Sequence, residues 1–112
     1  KILYNEWKLG ETEEEFTVMR VSLKGKNKGG KQETVIYDLY DKYCEQTKTS
    51  SMARTTGYTA TAAANLVLSG LFAEKGVFPP ELVGRYENSF VFIIDYLKQR
   101  GVVYKKTSHC EP

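Results

Sequence analysis

The chain has 112 residues, 41% hydrophobic and 27% charged, enough for one domain of ordinary globular composition and too few for two well-packed ones. Sixteen Lys+Arg against fourteen Asp+Glu leave a net charge of +2, short of the concentrated basic surface a nucleic-acid binder presents, and no apolar run reaches the roughly 18 residues of a membrane span. One histidine, His109, and two distant cysteines, Cys44 and Cys110, without a CxxC spacing argue against histidine catalysis, a metal site and a disulfide framework.

Lys1-Ile2-Leu3-Tyr4 offers neither an initiator Met nor a signal-peptide core, so the chain reads as part of something longer, and its free thiols fit a reducing cytoplasm. Ile2, Leu3, Trp7 and Leu9 form the apolar stripe of a helix end that Gly10 stops. After an acidic stretch from Glu11 to Glu15, Phe16 to Leu23 is β-branched and apolar, as is Thr34 to Tyr40; both are expected to be strands. Between them Lys24 to Lys31 holds Asn27, Gly29 and Gly30, residues suited to a hairpin connection. Its lysines 24, 26, 28 and 31 are read as a solvated tip rather than a phosphate patch, because no aromatic residue interleaves them.

Gln46 to Ser51 is a polar loop, and Met52 to Gly70 is a helix rich in small residues, expected to be buried closely against a neighbour. Hydroxyls near its front can cap it, and Gly70 ends it. Pro79-Pro80-Glu81 starts a helical turn. Glu87 to Arg100 is the last helix, with Phe90, Ile93, Ile94 and Leu97 on one stripe and Gly101 as its stop. Val102 to Tyr104 is expected to be a short final strand, with His109 and Cys110 in a frayed tail. The fold class is therefore α+β: an antiparallel hairpin, a further strand, and two main helices packed on one face.

No nucleotide-binding glycine fingerprint, P-loop, metalloprotease helix or nucleophile elbow occurs in the chain. Arg54-Thr55-Thr56-Gly57 alone carries local chemical meaning: a guanidinium, two hydroxyls and helix N–H groups could hold a carboxylate or phosphate. Plain N-capping explains the same residues, and on local chemistry it is the simpler account. Tyr37, Tyr40 and Tyr43 read as half-buried packing, Trp7 as a packing anchor, and Asp38 and Asp41 as solvated.

The order Phe16-Thr17-Val18-Met19-Arg20-Val21, Tyr37-Asp38-Leu39-Tyr40-Asp41, Met52-Ala53-Arg54-Thr55-Thr56-Gly57-Tyr58, Gly76-Val77-Phe78-Pro79-Pro80-Glu81 and Phe92 to Tyr104 resembles the C-terminal region of saccharopine dehydrogenase-like oxidoreductases. The resemblance implies a substrate and dimerisation region spanning residues 1–112, whose parent enzyme also carries an N-terminal Rossmann domain holding NAD or NADP. It implies reversible hydride transfer at the C–N bond of an amino-acid adduct in lysine metabolism. The substrate carries carboxylates, and Arg54, Thr55, Thr56 and Gly57 are the residues best suited to bind them. The partners implied are the Rossmann domain and a second subunit, with no nucleic acid or membrane. No catalytic residue and no cofactor site is expected in these residues, which should be inactive alone. A non-catalytic small-molecule-binding or dimerisation module of the same fold is the alternative.

Overall fold

The computed structural model describes residue 10 and residues 14–110. The helix end expected around Ile2, Leu3, Trp7 and Leu9 lies outside these residues. Strands β1 (Phe16–Lys26) and β2 (Gln32–Lys42) are followed by a π-helical turn, Ala53–Gly57. Then come α1 (Tyr58–Leu68), α2 (Pro80–Val83), α3 (Glu87–Lys98) and β3 (Tyr104–Cys110).

The hairpin runs further than the apolar alternation alone predicts, from Phe16 opposite Lys42 to Lys26 opposite Gln32. Its turn closes on Asn27, whose Oδ1 accepts the N–H of Gly29 at 2.9 Å and of Lys31 at 3.1 Å. Gly30 takes φ +78°, a conformation a side chain would strain. The four lysines at this tip are all exposed, as expected.

All three strands form one antiparallel sheet in the order β1-β2-β3, so the fold is α+β. The third strand is not where its sequence placed it. Val102 and Val103 lie outside it, and β3 instead carries His109 opposite Thr34 and Cys110 opposite Glu33, so these two residues are paired rather than frayed. The reason is a competing use for Val102. Gly101, at φ +78°, donates its N–H to Lys98 O, and Val102 donates to Leu97 O, both at 3.0 Å. This is a Schellman end to α3, in which the residue after the glycine folds back onto the last turn. Val102 is accordingly 1% exposed and joins Leu39 and Leu97 in the core, with Tyr58, Ile93 and Tyr104 against them.

The stripe predicted for α3 faces this core, tapering from Leu97 at 2% exposure to Phe90 at 40%, where Phe90 meets Tyr37 edge-on at 6.3 Å. The small-residue helix is buried less than expected. It packs against α3 through one face only, with Ala62 and Leu66 buried and Ala60, Ala63 and Ala64 exposed. Phe72 makes a second cluster, edge-on to Phe78 and Tyr86 at 5.3 and 5.6 Å. Tyr37 and Tyr43 are half-buried, whereas Tyr40 is exposed, because its strand position points to the sheet face away from Leu39.

Candidate functional site

The helix containing Arg54 begins at Ser51, and its first free amides are already satisfied. Met52 N–H donates to Glu15 Oε1 at 2.8 Å and Ala53 N–H to Ser50 Oγ at 3.1 Å. The anion at this helix start is thus the chain's own Glu15 carboxylate. Burial pushes its pKa up, but the N–H groups of Met52, Ser51 and Glu15 itself outweigh that and hold it below the ordinary 4.5. Ser51 Oγ adds a hydrogen bond to Thr17 Oγ1 at 2.8 Å, tying the helix start to β1.

Arg54 therefore sits one turn inside the helix, and its side chain reaches the sheet. Nε donates to both Asp41 carboxylate oxygens at 3.2 Å, and Nη2 donates to Oδ1 at 3.1 Å. Nη2 also donates to the carbonyl of Arg100 at 3.2 Å. Arg54 is 9% exposed and Asp41 5%, so Asp41 is a buried ion-pair partner, not a solvated surface residue. The missed signal was phase: Asp41 follows Leu39 by two positions and shares its buried face, where a charge requires a partner. Asp38, one step out of phase, pairs instead with Arg20 across β1 at 2.6 Å.

One guanidinium thus joins β2, the π-turn and the end of α3. The Asp41 carboxylate keeps Arg54 charged well beyond any working pH. Gly101 completes the arrangement, since a Cβ there would lie 3.3 Å from Arg54 Nη2. Nη1 makes no hydrogen bond among the described residues.

Beside this clamp lies a cleft of about 550 Å³ walled by Tyr40, Asp41, Lys42, Tyr43, Cys44, Glu45, Gln46, Arg54 and Gly101. Cys44 is a free thiol. Hydrogen bonding from Thr47, through both hydroxyl and backbone, draws its pKa below the ordinary 9.0, and the Arg54 charge adds to that. Chemically the cleft offers a fixed cation, an exposed one at Lys42, phenol and thiol groups, and two carboxylates, of which Asp41 is taken up by Arg54 and Glu45 is exposed. Through its two cations the set can hold an anionic ligand.

Of the four residues singled out in the sequence, only Arg54 lines the cleft. Thr55 Oγ1 donates back to the carbonyls of Ser51 at 2.9 Å and Met52 at 3.3 Å rather than capping an N-terminus. Thr56 and Gly57 are exposed, with Gly57 O accepting from Thr61 Oγ1 at 3.1 Å. Lys42, Tyr43 and Cys44 line the cleft although none was expected to be a site residue: Tyr43 reads as packing and Cys44 as a plain free thiol, because nothing in their spacing distinguishes them from a strand end. Among the described residues no cluster of His, Cys, Asp and Glu has the makings of a metal site, and no helix is long and apolar enough to cross a membrane.

The family model described as saccharopine dehydrogenase C-terminal domain matches residues 1–102. No solved structure matches the chain.

Proposed function

The chain belongs to the saccharopine dehydrogenase C-terminal domain family, and on that premise we propose that it is the substrate-side part of an NAD(P)-dependent oxidoreductase acting on the C–N bond of an amino-acid adduct of lysine metabolism. The bound nicotinamide supplies hydride acceptance and donation. These residues lack the glycine fingerprint that would hold it, so the dinucleotide belongs to a Rossmann domain outside them.

The observation that carries the reading is Arg54. Its guanidinium is held at one wall of a cleft by Asp41 and the Arg100 carbonyl, with Nη1 uncommitted among the described residues and Lys42 on the same cleft. A carboxylate of the adduct binds Nη1 and Lys42, and the clamp prevents the guanidinium from following the ligand. Hydride transfer needs such fixed placement, because the reacting C–H must face the nicotinamide to within a fraction of an ångström. Thr55, Thr56 and Gly57 serve the same ligand indirectly, by forming the turn that carries Arg54.

Two measurements test this. Saccharopine titrated into the 112-residue chain is expected to shift the NMR signals of Gly101, Lys42 and the Arg54 Nε–H group, and Lys42→Ala to weaken that binding about tenfold, the worth of one charge-assisted hydrogen bond. NADH and NADPH are expected not to bind the same chain. Shifts confined to other surfaces, or micromolar cofactor binding, refute the assignment.

A further inference from the structure

The sheet sorts its charges by face. Leu39 packs against Leu97 of α3, so the odd-numbered residues of β1 and β2 stand on the helix side. The even-numbered ones, with the odd-numbered residues of β3 beside them, form the opposite face. On the helix side the strands carry Glu33 and Asp41 against Lys106. The opposite face carries Arg20, Lys24, Lys26, Lys42 and Lys105, all exposed, against Asp38 alone, and Arg20 already holds that carboxylate at 2.6 Å. Five cations and one carboxylate leave +4 on this face, twice the +2 of the whole chain. Apolar side chains share it: Phe16, Val18 and Tyr40 are 66%, 67% and 66% exposed, and Val103, just before β3, is 50% exposed. Lys42 lies opposite Phe16, and Arg20 and Lys105 line one open groove of about 630 Å³ with Val18, Tyr40 and Val103. Cations therefore bound the apolar group at both ends.

We propose that this face rests on an anionic lipid bilayer, its apolar group entering the headgroup layer and its five cations meeting lipid phosphates and carboxylates. Apolar insertion and a basic patch together are what stable membrane contact takes, and either alone is marginal. Charge disfavours a second copy, which would bring +4 against +4. A single strand of nucleic acid would stack its bases on free rings. Here Phe16 and Tyr40 lean on each other, 6.1 Å apart at 37°, and valines fill the rest of the patch. A folded acidic protein would have to supply pockets for four side chains that stand this far into water, whereas the fluid headgroup layer accepts them without a matching shape. The contact is one-sided, since no helix among the described residues is long and apolar enough to cross. It goes against the expectation that no membrane is a partner.

Vesicles of phosphatidylcholine and phosphatidylserine in equal parts are expected to carry the 112-residue chain down in sedimentation, and phosphatidylcholine alone to leave it in solution. Salt should release it, as screening shortens the reach of the charges. Lys24→Ala and Lys105→Ala should each weaken binding about fivefold, the weight of one basic side chain at such a surface. Lys106→Ala, on the same strand as Lys105 but the other face, should stay within about twofold of the wild type. Val18→Asp should weaken binding at least as much as the lysine changes, because it puts a charge where the apolar group enters. Circular dichroism should be unchanged in every variant. Equal retention on both vesicle types, no retention on either, or equal losses for Lys105→Ala and Lys106→Ala overturn the proposal. So does a chain that ignores the vesicles and binds poly-glutamate or a single-stranded oligonucleotide through Lys24 and Lys105, which would give the face an acidic protein or a nucleic acid instead.

Discussion

Replacing Asp41 by asparagine removes the charge that Arg54 is buried to meet. Breaking a buried pair from either side costs about 3–5 kcal/mol, so Asp41→Asn and Arg54→Ala should each lower chemical-denaturation stability by that order. The double change Asp41→Leu with Arg54→Met should recover most of the loss, because two apolar groups leave no uncompensated charge. A double variant as unstable as the sum of the singles would show that the pair is not what the site is built around. Gly101 offers a sharper comparison. Gly70 and Gly101 have nearly the same left-handed backbone, at φ +73° and +78°, but only Gly101 has a neighbour, Arg54 Nη2, where a Cβ would go. Both alanine variants should lose about 1–2 kcal/mol from the backbone alone, and Gly101→Ala should lose more. Equal losses would mean that Arg54 yields freely.

At the scale of elements, the start of the Arg54 helix depends on groups outside its hydroxyl run. Ser50→Ala removes a cap and should cost about 1 kcal/mol, whereas Thr55→Ala removes only a bond back to a helix carbonyl and should stay within about 0.5 kcal/mol. Glu15, its pKa lowered in the fold by the helix amides, contributes stability that is fully present above 4.5 and is lost as pH falls through its lowered value. Acid melting of the wild type against Glu15→Gln should therefore converge below that range and diverge above it. In α3, Ser89 is 0% exposed and its Oγ has no hydrogen-bond partner among the described residues. Burying an unsatisfied hydroxyl costs about 1–3 kcal/mol, so Ser89→Ala should raise the melting temperature; a fall would indicate a bond that forms in solution.

At the scale of the whole molecule, the helices among the described residues cover one part of one sheet face and leave much of the apolar sheet open. Leu39, 2% exposed between the sheet and α3, should cost about 2–5 kcal/mol when cut to alanine. Val18, 67% exposed, should cost under about 0.5 kcal/mol, measured by urea unfolding. A large loss for Val18→Ala would mean that its face is already covered within the chain. The contrast separates residues that hold this domain together from those left for contacts beyond it.

Elements whose cause is local were legible in the sequence. Alternation of apolar residues determined β1 and β2, Asn27 and the glycines after it determined the turn, and Gly70 and Gly101 determined two helix ends, because each of these depends on residues within a few positions of one another. The ordered set of short motifs likewise determined the family. Val102 deceived a local reading because the same β-branched side chain suits both a strand and the fold-back after a helix-ending glycine. Only the surrounding core, with Leu39 and Leu97 waiting for it, decided between them. The length of β3 was decided by the free edge of β2, which a pattern confined to residues 104–110 does not record. The site was decided last. Arg54 meets a carboxylate 13 positions away and a carbonyl 46 positions away, and such a pairing exists only once β2, the π-turn and the end of α3 have been packed together.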